Sequence, residues 1–351
     1  MNIVNIRSPY FITVDIALQV GSKIELFIWN EGTTEPVTPT YTFTKRIAQR
    51  TDYNISNFVK EYIDNSISYV GSPTANNVKN WTRFKVKRYK ETSIGVYSFL
   101  NTVNYMAVNG YTLFENGYNY NAIDVVLQGT NITTYYDRLN TNYPYIELLL
   151  DTTLGTTVKA YYTAGVTTVI VDVLLAAAAT GQYNFKVPMT TNNINFANGN
   201  KLDIFYNSLS IKTFTIEPIE EGKYSPVVCH FINRFGGAQF LTFFKAKTNT
   251  IDVKGTSYKL LSDSVDYNIS KGQSKRFNIN GSQTIKLNTG WVDENYSELI
   301  TDLFLSETVL LDGKPVEVKT QNSVLKTYLK DKNINYEIEF QYAFNLINDV
   351  V

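Results

Sequence analysis

Apolar and polar residues alternate along much of this chain. In the longest run, Ile334, Tyr336, Ile338, Phe340, Tyr342 and Phe344 are interleaved with Asn335, Glu337, Glu339, Gln341 and Ala343. Successive side chains of a strand leave on opposite faces, so a period of two predicts a strand with one buried and one wet face. Shorter runs of the same kind predict strands at 24–29, 38–43, 84–89, 158–162, 168–173, 202–206 and 212–216. Two stretches keep a different period. Ile55, Phe58, Val59, Tyr62 and Ile63 follow Asn54, and Tyr296, Leu299, Ile300, Leu303 and Phe304 follow Asp293. That spacing lines the apolar residues along one side of a helix, and the Asn or Asp in front offers an oxygen to an orphan backbone N–H. Helices of about three turns cannot stand alone, so both are expected to pack across a sheet edge or end.

Turn chemistry organises the strands. Asn280-Gly281 separates 276–279 from 284–287, and Asp312-Gly313 separates 309–311 from 315–318. Both dipeptides tolerate the positive φ angles of a tight hairpin, so each predicts one. Asn109-Gly110 and Asn116-Gly117 read as turns, and Gly236-Gly237 as a bend between strands. Many short strands punctuated by turns point to a mainly β chain of tandem β-sandwich-like domains with two short amphipathic helices. No Pro-rich or charged linker marks a boundary. Composition shifts give an N-terminal β domain with one helix at 1–125, a central β-sandwich at 126–250 and a C-terminal β domain with the other helix at 251–351. Tyr-Asn-Ile-Ser occurs at 53–56 and again at 267–270, and the stretches at 23–29 and 201–206 look alike. They read as chance or as a faint echo of duplicated β domains, and neither proves a repeat.

The 351 residues carry 32 basic and 32 acidic side chains, so a strong non-specific nucleic-acid footprint over the whole chain is not expected. One Cys and one His exclude a disulfide framework and a Cys/His zinc centre. No cofactor or metal is expected. The 26 Tyr and 20 Phe favour pleated surfaces. The N-terminus lacks a basic stretch followed by an apolar one, which predicts synthesis and folding in a cytoplasm. The most apolar run, 166–179, is broken by Thr167, Thr168 and Asp172 and falls short of the ~20 residues of a spanning helix. It reads as a buried strand followed by a small-residue turn.

Catalytic inventory is thin. Cys229 and His230 are adjacent, and neighbours in a strand do not meet; no Gly-x-Ser-x-Gly elbow and no phosphate-binding Gly loop is present. Glu217, Glu220 and Glu221 fall in a loop-like stretch. Asp293, Glu294 and Glu298 sit at a helix start, where the helix dipole accounts for them. Two clusters suit binding better than catalysis. Arg83, Lys85, Lys87, Arg88 and Lys90 interleave with Phe84, Val86 and Tyr89, giving either a patch facing DNA or an acidic partner, or an edge strand kept soluble by its charges. Tyr105, Tyr111, Tyr118 and Tyr120 sit among Asn and Gly, as interface or adaptable binding-loop tyrosines do.

Several stretches form an ordered set: Ser8-Pro9-Tyr10-Phe11-Ile12, Lys23-Ile24-Glu25-Leu26-Phe27-Ile28-Trp29, Tyr53-Asn54-Ile55-Ser56, Phe231-Ile232-Asn233-Arg234-Phe235-Gly236-Gly237, the segment 291–305 and the closing strand 335–344. Their order over most of the chain resembles tail structural proteins, especially tail-hub components, of crAss-like phages infecting Bacteroidota. The resemblance implies a non-enzymatic virion protein, made in the bacterial cytoplasm and built into the tail as a homo-oligomeric ring. Its implied partners are copies of itself, portal-proximal ring or distal tail proteins, and transiently the genomic DNA, with no membrane insertion. The alternatives are a receptor- or glycan-binding β module of a tail or head fibre, with the tyrosine cluster as its surface, and a glycan-cleaving enzyme whose paired carboxylates meet only on folding.

Overall fold

The computed structural model describes residues 2–30, 33–63, 67, 81–119, 126, 128–129, 132–137, 145–152, 155–174, 181–188, 200–261, 265–266, 268–320 and 333–348. It is mainly β, as the alternation predicts, with two short helices. Packing divides the chain into two compact units, each discontinuous in sequence. The first takes in Met1–Glu220, His230–Leu241 and Asn295–Thr308; the second takes in Glu221–Cys229, Thr242–Glu294 and Val309–Val351.

The first unit opens with β1 (Asn2–Asn5), β2 (Phe11–Val14), β3 (Gly21–Asn30), β4 (Tyr41–Lys45), β5 (Thr51–Asn54), α1 (Ser56–Lys60), β6 (Trp81–Ser93) and β7 (Val96–Val108). Five of these strands form a sheet in the order β1-β7-β6-β3-β4, and β2 pairs with β5 in a separate ribbon. Ile24, Leu26 and Ile28 of β3, Phe84 and Val86 of β6, and Tyr105 and Ala107 of β7 are buried together against Ile12 and Val14 of β2, Tyr53 of β5 and Val59 of α1. Asn54 does part of the expected capping: its Oδ1 accepts the Ser56 N–H at 3.2 Å. The helix is shorter than its apolar spacing predicts, because only Ser56–Lys60 keep helical geometry.

The next seven strands repeat this plan. They are β8 (Thr134–Asp137), β9 (Tyr145–Thr152), β10 (Val158–Ala164), β11 (Thr167–Leu174), β12 (Gly181–Pro188), β13 (Asn200–Tyr206) and β14 (Leu209–Ile219). Their sheet runs β8-β14-β13-β10-β11, and β9 pairs with β12. Taken in order, the first, third, fourth, sixth and seventh strands of each set form the sheet, and the second and fifth pair apart. Directions match as well. The first strand is parallel to the seventh in both sets, and every other pairing is antiparallel. The chain therefore holds one β-sandwich topology twice in tandem. The resemblance between 23–29 and 201–206 does not reflect this, because it sets β3 beside β13, a third strand beside a sixth.

After β14 the chain passes between units within β15 (Val227–Ile232) and β16 (Ala238–Phe243). The second unit is built on β17 (Thr248–Lys259), β18 (Ser274–Asp293), β19 (Val309–Leu311), β20 (Lys314–Val318) and β21 (Asn333–Asn345), in the order β19-β20-β21-β18-β17, with residues 227–229 beside β19. The predicted hairpin at Asp312-Gly313 joins β19 to β20, with φ of 44° and 79° at the two turn residues. The hairpin predicted at Asn280-Gly281 is not a turn. Both residues lie inside β18, which runs unbroken from Ser274 to Asp293. The Asn280 side chain instead ties down the end of the chain, accepting the Ile347 N–H at 3.0 Å and donating to the Ile347 carbonyl at 2.9 Å. The positive φ falls at Asn278 (49°), where β18 carries an extra residue opposite β17.

Two further expectations are corrected. The strand at the start of the apolar run 166–179 is β11, an edge strand whose residues are mostly exposed, so it is not buried; residues 175–180 lie outside the described residues. The boundary expected near 250 falls inside β17, whose polar composition reflects exposure along its whole length. The boundary expected near 125 falls between the two sandwich sets.

In β21 the alternation is expressed from Ile334 to Phe340 and is lost beyond it, where Phe344 is exposed. Ile334, Tyr336, Ile338 and Phe340 are buried, and the Phe340 ring meets Phe243 edge-on at 5.7 Å. Phe340→Ala is expected to cost about 3–5 kcal/mol in denaturant unfolding. Phe340→Asp should abolish folding of the second unit, because the charge has no partner on that face. Glu339→Ala, on the wet face, should stay within about 0.5 kcal/mol of wild type. A wild-type melt for Phe340→Asp would show that the inward face is misassigned.

Candidate interaction surfaces

The basic cluster lies on β6, which is flanked by β7 and β3 and so is an interior strand of its sheet, not an edge. Its cations do not form one patch. Phe84 and Val86 point into the core, so Arg83, Lys85 and Lys87 emerge on the opposite face, while Arg88 and Lys90 follow the parity of the core residues. Lys85 and Lys87 cover the ring of Phe27 at 4.4 and 4.9 Å, and Lys85 also pairs with Glu35. The Arg83 guanidinium lies 5.5 Å from the Trp81 ring centre. Arg88 is consumed internally, donating to Asn101 Oδ1 at 2.7 Å and to the Thr13 carbonyl at 2.9 Å. Lys90 sits opposite Ser22 and Ser98. The long apolar stems and charged heads of these residues roof the sheet.

The tyrosine cluster is also split. Tyr105 is 8% exposed and stacks on Phe84 at 4.7 Å in the core. Tyr118 is 71% exposed, and Tyr120 lies outside the described residues. Tyr111 belongs to a polar knot that sequence reasoning missed. Its hydroxyl donates to Asp302 Oδ1 at 2.9 Å, and Arg234 Nε donates to the same oxygen at 3.0 Å. Asp302 sits on α2 (Tyr296–Phe304), and Arg234 sits in the turn between β15 and β16. Arg7 lies over the Tyr111 ring at 5.0 Å, donates to the Leu305 carbonyl at 2.7 Å and approaches Glu307, which also holds Lys60 of α1 at 2.8 Å. Asp302 falls on the apolar side of α2, between Leu299 and Leu303, and a carboxylate there was the available signal.

Cys229 is fully buried, and burial pushes its thiol well up, helped by Asp312. His230 is buried and lies 6.4 Å from the Phe240 ring. Glu221 is held by Lys245 at 2.9 Å. Among the described residues no group of three His, Cys, Asp or Glu side chains could hold a metal ion, and no helix is long and apolar enough to cross a membrane.

Two free strand edges are more informative. In β11, Ile170 is 52% exposed and Val171 is also exposed, and the turn before them carries exposed Val166. In β17, Ile251 is 57% exposed and Val253 is exposed beside it. Among the described residues no strand lies outside either. The β17–β18 ribbon also outruns its sheet. Pairing of β18 with β21 begins at Ser282, and Leu346 and Ile347 hold Gly281 and Asn280, so the part of β18 from Ser274 to Ile279 pairs with β17 alone. From Gly255 to Lys259 this free ribbon extends about 15 Å at the usual rise per residue.

No protein-family model matches the chain, and no curated protein matches it.

Burial pushes the Asp302 carboxyl above its ordinary value of 3.8, against the opposing pull of Arg234 and the Tyr111 hydroxyl. A carboxyl whose folded value is raised favours folding most below its unfolded value, and that contribution is lost as pH rises through the folded one. The stability of wild type relative to Asp302→Asn should therefore fall as pH rises above about 4, read by denaturant unfolding across pH. A relative stability that rises over this window would contradict the assignment. Asp302→Ala, which strands Arg234 and Tyr111 without their acceptor, should cost about 1–3 kcal/mol.

Proposed function

We propose that this chain is a non-enzymatic structural protein of a phage virion tail, a hub component that assembles with its own copies into a ring and joins other tail proteins around the DNA exit channel. One observation carries the reading: two strand edges, β11 and β17, keep apolar side chains exposed with no strand outside them among the described residues. An apolar edge such as β11 is a template for pairing with another chain, and β17 offers Ile251 and Val253 among polar residues. A ring needs heterologous contacts, in which one patch meets a different patch on the next copy, and two unlike edges on one chain supply that asymmetry. Strand addition gives such a contact its backbone hydrogen bonds, and alternate side chains give it specificity. The doubled sandwich supports the same reading, since tandem copies of one topology suit a building block. The ordered sequence stretches that resemble tail-hub proteins are its second support. The glycan-binding alternative has less to stand on, because Tyr105 is in the core and Tyr111 is bound to Asp302.

Light scattering of the purified protein should give a mass that is a multiple of the 39.9 kDa chain, and electron microscopy should show discrete rings. Ile170→Lys and Ile251→Lys should each reduce that mass while leaving the melting temperature close to wild type, since both side chains are about half exposed. A monomer with no tendency to associate would overturn the proposal.

A further inference from the structure

The free end of the β17–β18 ribbon carries a charge pattern that the rest of the molecule does not. Over the whole chain basic and acidic residues balance, but the sequence from 252 to 280 carries five basic residues, Lys254, Lys259, Lys271, Lys275 and Arg276, against three acidic ones, Asp252, Asp263 and Asp266. Elsewhere some exposed lysines are matched, Lys286 with Glu337, Lys319 with Glu317 and Lys245 with Glu221, while Lys201, Lys247 and Lys314 stand singly on separate strands and loops. On the ribbon, none of Lys254, Lys259, Lys275 and Arg276 makes an ion pair with a described carboxylate. These four charges repel one another and gain nothing within the described fold, so an anion brought to them meets no competing internal partner.

Register places the four close together. Tyr258 is opposite Lys275, Ser257 opposite Arg276, Lys259 opposite Ser274 and Lys254 opposite Asn280. One face thus carries Lys254, Tyr258, Lys275 and Phe277, and the other carries Lys259 and Arg276. Tyr258 and Phe277 are both exposed, and their rings meet edge-on at 5.5 Å between the two lysines. Gly255 sits close under Ile279: a Cβ there would lie 3.0 Å from the Ile279 side chain, with the Arg276 guanidinium beside it at 3.4 Å.

We propose that this ribbon end is a nucleic-acid-binding element, with Lys254, Lys259, Lys275 and Arg276 on the phosphate backbone and the Tyr258–Phe277 pair as an apolar contact. A duplex presents about one negative charge per 1.7 Å of axis, so a ribbon of this length spans several phosphates. A two-stranded ribbon is also narrow enough to enter the major groove. Cations on both faces keep phosphates in reach whichever face turns to the duplex. Nothing here reads base sequence, because no pair of side chains is set for bidentate contact with a base edge, so binding is sequence-independent. The element is independent of ring assembly, since a single copy of the chain carries all of it.

The test is fluorescence anisotropy of a labelled random-sequence DNA duplex with the full-length protein, titrated at several concentrations of monovalent salt. Wild type should bind, with log K falling against log salt at a slope of about −4, as expected for four phosphate contacts. Lys275→Gln alone should reduce the slope by about 1, and Lys259→Gln, Lys275→Gln and Arg276→Gln combined should reduce it by about 3. All these side chains are exposed, so melting temperature should not move. Lys85→Gln, whose side chain pairs with Glu35 on the sheet, should leave the slope unchanged. Three results would overturn the proposal: no binding at low salt, an unchanged slope in the triple variant, or loss of self-association with DNA binding intact. The last would mean that the ribbon's partner is an acidic protein surface. Ring formation without DNA binding rejects this element alone, and DNA binding by a protein that stays monomeric rejects the assembly reading alone.

Discussion

A β-strand has two faces and two edges, and a folded chain must account for all four. Faces are covered by apolar packing, and edges by another strand, because unpaired N–H and C=O groups are costly when dry and adhesive when wet. In this protein the faces are largely closed within the chain. Ile24, Leu26, Phe84 and Tyr105 are closed over by β2, β5 and α1, and Ile338 and Phe340 are buried in the second unit. The edges are not. β11 and β17 end their sheets among the described residues; β11 carries no Pro or Lys, whereas β17 is partly blunted by Lys254, Lys259 and a bulge against β18. The character of the molecule follows from that imbalance. Its interior is self-sufficient, and what remains for a partner is the backbone ladder of its margins with the apolar residues that lie along it.

The doubled topology sharpens this. Each seven-strand set places its fourth strand at one edge, β4 in the first and β11 in the second. The two edges are equivalent in topology but different in chemistry. β4 ends in Thr44 and Lys45, and Lys45 donates to the Asp52 carbonyl and lies 5.0 Å from the Tyr53 ring, so that edge is partly dressed by its own neighbours. β11 presents Val169, Ile170 and Val171, and its one acid, Asp172, is matched by Lys159. One copy of the plan has kept a polar margin and the other an apolar one. Only the apolar margin has a driving force for association.

What the sequence made legible followed from periodicity, which is local. β3, β6, β10, β13, β14 and β21 all coincide with alternating stretches, because one face of each is buried and the pattern of two is imposed on it. The Asp312-Gly313 turn was legible for the same reason: a tight turn has no way to form except through its own φ angles. Long-range features were not legible. Asn280-Gly281 has turn chemistry, but β18 is gripped by β17 on one side and β21 on the other, and Asn280 spends its side chain on Ile347. Lys85 and Arg88 read alike in the sequence, yet one roofs Phe27 and the other is drawn to the Thr13 carbonyl, since alternation sends them to opposite faces. The run beginning at Val166 looked buried because it is apolar, but apolarity does not distinguish a core strand from a sticky edge. The duplication was invisible as well, because topology is preserved by which faces must be covered and leaves side-chain identity free within that limit.

The same distinction explains why Asp302 escaped notice while Glu217, Glu220 and Glu221 drew attention. Clustering is visible in a sequence, and burial is not. A lone carboxylate on the apolar side of α2 has chemical weight only because folding brings Arg234 and Tyr111 to it from turns far away in the chain. Its position gives the knot a structural meaning. Asp302 joins α2 to the β15–β16 turn and to the segment after β7, while Glu307, just past α2, joins Arg7 and Lys60. Those groups fasten the two helices, which no strand pairing holds, to neighbouring turns and strands. At the free ribbon the situation is reversed: strand pairing is present and, among the described residues, Lys254, Lys259, Lys275 and Arg276 make no ion pair. What sets Lys254, Lys259, Lys275 and Arg276 apart is that, among the described residues, four cations without an ion pair sit together on two paired strands, and that concentration is what the proposed nucleic-acid contact rests on.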